Sequence, residues 1–229
     1  VLDKLPRFKR RMQWFIKYRP QLIENLPSLV DESAHDHYQL SILDRGKLAR
    51  VLPSVFDPDE FLSDFGIRSL SRHHHEQPFE FSVGGVLHSV RYEPAESSSG
   101  LFGGNSNWRG PVWFPLNYLV IESLRKYACH YGEGFKIEVP RGSGVQLTLD
   151  QAADELCRRL VGIFLSDPDD RRPVFGFQEY FQSDPHWRDY IPFYEYFHGE
   201  DGCGLGASHQ TGWTALVANL IQEAAHHRS

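Results

Sequence analysis

Apolar residues at helical spacing recur along this chain in separate stretches, joined by long loops rich in glycine, proline and aromatic residues. In the longest stretch, Leu116, Leu119, Val120, Ser123, Leu124, Tyr127 and Tyr131 trace one helix face. Thr148 to Gln151 reads as a capping box for a helix carrying Leu156, Leu160, Val161 and Phe164. Leu5, Phe8, Met12, Phe15 and Ile16 line a helix that is basic on its other face and stops at Pro20. Trp213, Leu216, Val217 and Leu220 mark a last helix, with Ser208 as its expected cap. Short helical pieces are expected near Arg45–Leu52 and Asp57–Ser63, and the connection Gly132–Gly144 is expected to be loop. Phe79–Tyr92 reads as a β-hairpin turning at Gly84-Gly85. Residues 166 to 207 read mostly as loop, and long loops in compact domains are usually functional. The pattern predicts a mainly α fold.

At 229 residues the chain is long enough for one or at most two domains with a sizeable core. Its 24 Lys and Arg against 30 Asp and Glu give a net charge of -6, so nothing electrostatic predicts nucleic acid or an anionic membrane as partner. The basic face of the first helix, from Lys4 to Arg19, therefore reads as a solvated surface. Cys129, Cys157 and Cys203 suit neither a disulfide framework nor zinc spacing and read as buried free thiols, which points to a reducing, cytoplasmic setting. The chain opens at Val1 directly into a helical run, as a portion of a larger protein would.

Two segments carry candidate chemistry. The first, Gly103 to Pro115, puts Trp108, Arg109 and Trp113 on a glycine-loosened loop at the mouth of the long helix. Flat aromatic faces beside fixed polar groups suit a sugar, whose C–H face stacks while its hydroxyls need partners; packing into a core is the competing reading. The second, Phe193 to Gly202, places Glu195 among aromatics just before a glycine-rich turn. Desolvation by the rings would fit Glu195 for general acid or base work, and a salt-bridged loop glutamate is the alternative. His73-His74-His75 reads as exposed loop, since adjacent side chains point apart. Asp36 with His35 and His37 is uninformative, Asp167, Asp169 and Asp170 lack the glycine and glutamate of a calcium loop, and Gly103-Gly104 lacks the rest of a phosphate loop. His209 either faces the pocket or bonds near a helix start.

These segments, taken in order, resemble a known family. Gly66-Ile67-Arg68-Ser69-Leu70-Ser71, then Trp108-Arg109-Gly110-Pro111-Val112-Trp113 with Asn117-Tyr118, then Glu195 ahead of its turn, then Thr211-Gly212-Trp213-Thr214 are similar to glycoside hydrolase family 63. The resemblance spans residues 66 to 214. It implies an (α/α)6 barrel and hydrolysis of α-linked glucosides or oligosaccharides with inversion, without cofactor or metal. Glu195 matches the general base, while Trp108, Arg109, Trp113 and Asn117 match the sugar-pocket motif, and Arg68 and His209 join them as candidate ligands. An inverting enzyme also needs an acid, its carboxyl roughly 6.5–9.5 Å from the base. No convincing match to that aspartate is found in residues 1 to 75.

About five or six helices are visible, where the barrel needs twelve. The expectation is therefore one domain over residues 1–229, the C-terminal part of a partial (α/α)6 toroid with long loops and a β-hairpin. Its expected partners are a carbohydrate substrate and the upstream half of the same domain, without which it would be inactive. The alternative is a non-catalytic sugar-binding or scaffold module. A sugar epimerase or isomerase, using His198 with His209, is a third reading.

Overall fold

A computed structural model of the chain describes residues 2–23, 41–100, 104, 106 and 108–226. The pattern around Asp36 and the glycine at 103 lie outside the described residues. Eight α-helices are described: α1 (Pro6–Tyr18), α2 (Pro20–Ile23), α3 (Arg45–Val55), α4 (Phe114–Tyr131), α5 (Leu149–Gly162), α6 (Glu179–Ser183), α7 (Thr211–Thr214) and α8 (Leu216–His226). Eight short strands pair as four antiparallel two-stranded units: β1 (Leu62–Ser63) with β2 (Gly66–Ile67), β3 (Phe79–Val83) with β4 (Val86–Val90), β5 (Lys136–Glu138) with β6 (Gln146–Thr148), and β7 (Tyr196–Phe197) with β8 (Gly204–Leu205). The chain is mainly α with a β-hairpin, as its periodicity predicts. No described helix is long and apolar enough to cross a membrane.

The core forms where α4 lies along α5 and α8 closes over both. Phe114, Ile121 and Leu124 from α4 meet Leu149, Leu156 and Leu160 from α5 and Leu220 from α8, all fully buried or nearly so. Helix α5 starts as its capping box predicts: the Thr148 hydroxyl accepts the Gln151 N–H, and the Gln151 side-chain Oε1 accepts the Thr148 N–H. Helix α3 is capped by Asp44, which accepts the Lys47 N–H at 2.6 Å. Helix α1 forms as expected but buries none of its residues.

Several expectations are corrected. Residues 57–63 are not helical: Asp57 accepts the Asp59 N–H in a side-chain turn, and the segment then enters β1. The glycine-rich stretch after α4 holds β5, which pairs with β6 in a hairpin across residues 139–145 that lacks the apolar alternation of β3–β4. The buried face of α4 runs through Phe114, Asn117, Ile121, Leu124, Tyr127, His130 and Tyr131, leaving Leu119 61% exposed, because Asn117 must face the backbone of Ile67. The last helical stretch is two helices, and Gln210, whose N–H bonds Phe193 O, precedes α7 where Ser208 was expected to cap. Of the cysteines, Cys157 and Cys203 are buried and Cys129 is exposed. The hairpin β3–β4 has the expected register, yet β3 is exposed throughout, its Phe79 and Phe81 rings stacking at 5.8 Å.

Candidate functional site

Backbone hydrogen bonds bring the four sequence motifs together. Arg68 and Phe197 each form an antiparallel bridge with Val112. Phe197 and Val112 exchange bonds of 2.8 and 2.9 Å, and Ser69 N–H reaches Pro111 O at 3.1 Å. Downstream, Gln210 N–H donates to Phe193 O, and the Thr214 hydroxyl donates to Tyr194 O at 2.5 Å. Residues separated by more than a hundred positions thus share one small patch of extended backbone over the α4–α5 core.

Three indoles cluster there. Trp108, 51% exposed, meets Trp113 edge-on with centroids 4.4 Å apart, and Trp113 lies 4.8 Å from Trp213. Trp113 is buried, and its Nε1–H finds no acceptor among the described residues. Of this set Trp108 offers the open ring face.

Glu195 follows on the neighbouring segment. Its N–H bonds Ala207 O at 2.9 Å, and its Oε2 accepts the Ala207 N–H at 3.4 Å. The carboxylate crosses Gly206, where φ is +70° and an added Cβ would stand 2.9 Å from Oε2, so glycine is required on both counts. A second carboxylate shares this turn. Glu96 Oε1 accepts the Gly206 N–H at 3.2 Å, and its Oε2 accepts the Tyr196 hydroxyl at 3.0 Å. Burial pushes the Tyr196 phenol up to about 12; the Glu96 bond and the charges of Glu96 and Glu195 add to that, against a bond with Ser106. Tyr196 is therefore a fixed proton donor to Glu96.

The remaining candidate ligands are engaged by the protein itself. Arg109, 1% exposed, pairs with Glu93 at 2.9 Å and donates to Ser97 and Ser99. Burial alone would raise Glu93, but bonds from Ser98 and Ser97 and the Arg109 charge bring it below the usual carboxylate value. Arg68 is buried too, donating to Leu62 O at 2.6 Å, to Pro58 O at 3.1 Å and to both oxygens of Glu200. Tyr92 donates to the same Glu200 at 2.5 Å, and burial raises its phenol far above the ordinary value. Asn117 accepts Ile67 N–H at 2.7 Å and donates to Ile67 O and Trp113 O. These three side chains form a frame behind the tryptophan surface.

The histidines separate. His209 is exposed and pairs through its backbone with Phe193, whereas His198 Nδ1 accepts the N–H groups of Glu200 and Asp201 and shapes the turn. Residues Arg72–His75 make a 3-10 turn, and among the described residues no group of three His, Cys, Asp or Glu side chains could hold a metal. Glu93 and Glu96 escape a reading by motif, since they stand in a polar Ser/Gly stretch with no periodicity. Glu200 was visible within the Glu195 segment, but only its distance from Arg68 reveals its partner.

A family model described as the mannosylglycerate hydrolase MGH1-like glycoside hydrolase domain matches residues 37–214. The uncharacterized protein YMR196W of Saccharomyces cerevisiae is 45% identical over 226 residues, 97% of this chain and 21% of its own length. The mannosyl-oligosaccharide glucosidase of the same yeast is 26% identical over 176 residues, 76% of this chain and 15% of its own. A probable mannosyl-oligosaccharide glucosidase of Schizosaccharomyces pombe is 27% identical over 180 residues, 79% of this chain and 16% of its own. The chain thus spans between 15% and 21% of the length of these curated relatives.

Proposed function

Because the chain belongs to the MGH1-like glycoside hydrolases, of the family 63 type its motifs resemble, we propose that it carries the general base of an inverting, α-glucosidase-type site. The substrate class is α-linked glucosides or oligosaccharides. The supporting observation is the pairing of Phe197 with Val112, which brings Glu195 and Trp113, each close in sequence to that pair, onto adjacent segments. The Glu195 carboxylate takes a proton from water as the water oxygen bonds to the anomeric carbon. The glycosidic C–O bond breaks with its electron pair going to the leaving oxygen, which an acid upstream of the motifs protonates. Trp108 stacks on the sugar ring. Arg68, Arg109, Trp113 and Asn117 support that surface through their bonds and packing within the protein. Residues 1–229 are one domain within a larger (α/α)6 toroid, whose other helices complete the site.

The engagement of Arg68, Arg109 and Asn117 by protein partners also suits a module that binds sugar without turning it over. One comparison separates the two readings. Glucose release from a panel of α-linked glucosides is measured for the full-length protein and its Glu195→Gln variant. Loss of the base is expected to lower turnover by about 10²–10⁴-fold with little change in binding. Retained turnover in the variant overturns the assignment of Glu195, and binding without hydrolysis by the native protein favours the module.

A further inference from the structure

A second aromatic hollow lies close to Glu195 along the chain. Phe181, Trp187, Asp189, Tyr190, Ser208 and His209 line a cavity of about 590 Å³, within the ~300–1,000 Å³ that small-ligand sites occupy. One of its lining rings is backed by the core: Phe181 stacks at 5.8 Å on Phe175, which is 3% exposed. Trp187 lies 6.0 Å from Phe181 and 6.3 Å from Tyr190. Trp187 is nonetheless 44% exposed and Tyr190 71%. Exposed clusters of large rings mark interaction surfaces, ligand grooves among them. Asp189, Ser208 and His209 supply an exposed polar rim.

The hollow is tied to the proposed base. Tyr194, the neighbour of Glu195, also lines it. Ala207, whose N–H holds Glu195, directly precedes the rim residues Ser208 and His209. His209 is three residues beyond Gly206, so at ~3.6 Å per residue their Cα atoms are at most about 11 Å apart. A short glycan bridges that distance. Planar apolar faces with carboxylate, hydroxyl and imidazole at the edge match a pyranose, which has a C–H face and a ring of hydroxyls.

We propose that this hollow is a second saccharide subsite, taking a hexopyranose unit of the same glycan whose bond Glu195 addresses. The proposal rests on the glycosidase reading for the identity of that glycan, and its test does not require turnover. The full-length protein and its Trp187→Ala, Tyr190→Ala and Tyr190→Phe variants are titrated with α-1,2-, α-1,3- and α-1,4-linked gluco-oligosaccharides of two to five units, and with methyl α-glucoside. Each alanine variant is expected to weaken binding of the longer ligands about tenfold, the scale of one lost aromatic contact. Methyl α-glucoside binding should stay unchanged, and Tyr190→Phe should retain near-native affinity. Affinity independent of glycan length in every series overturns the proposal, as does an equal loss for long and short ligands. If the native protein shows this length dependence but hydrolyses nothing, the subsite stands and the assignment of Glu195 falls. If it hydrolyses and the variants lose nothing on longer substrates, the subsite alone falls.

Discussion

Gly206 is the point where one turn serves two carboxylates: its own N–H goes to Glu96, and the next N–H goes to Glu195. Replacing it with alanine puts a Cβ at φ +70° against Glu195 Oε2 and the Tyr196 ring. The Glu195 carboxylate must then move. Gly206→Ala is expected to lower glucose release by about 10²-fold, the scale of an ångström-level misplacement, with only a small drop in melting temperature. Near-native activity would mean that the position of Glu195 does not matter. Residue types in the motifs were legible, but their roles were not. An arginine reads alike whether it clamps a sugar or a carbonyl, and Arg68 and Arg109 are buried, where an unpaired charge would be too costly to keep.

Elements were legible where the signal is local. The Thr148–Gln151 box, the Gly84-Gly85 turn and the long apolar stretch each became the expected helix or hairpin, since caps, turns and periodicity act within a few residues. The loop from Glu93 to Arg109 had no such signal. It is closed at its base by the Glu93–Arg109 pair and by Glu93 N–H bonding Arg109 O at 2.6 Å. Glu93 titrates below its ordinary value of 4.5 in the folded protein. Its contribution is therefore complete above that value and is lost as the pH falls through the lowered folded one. Limited proteolysis within residues 93–100 should accelerate on acidification below pH 4.5 in the native protein. In a Glu93→Gln variant it should be fast at every pH; a native loop whose cleavage ignores pH contradicts this.

At the scale of the whole molecule, Asn117 joins α4 to a strand fifty residues earlier by copying a backbone partner for Ile67. Asn117→Ala leaves the part-buried N–H and C=O of Ile67 without that partner, which is expected to cost about 2 kcal/mol in denaturant unfolding. A loss under about 1 kcal/mol would show that the site tolerates the opening. The sequence by itself determined the helical class, the main caps and turns, and the ordered motifs of a glycoside hydrolase, because those depend on near neighbours and on residue type. Only the tertiary structure decided which motif side chains are exposed, that Glu96 joins Glu195 at Gly206, and that Glu200 belongs to Arg68 and Tyr92. The hydrogen bonds that make those pairings span a hundred positions or more. They are set by how the core brings distant backbones together, which no local pattern encodes.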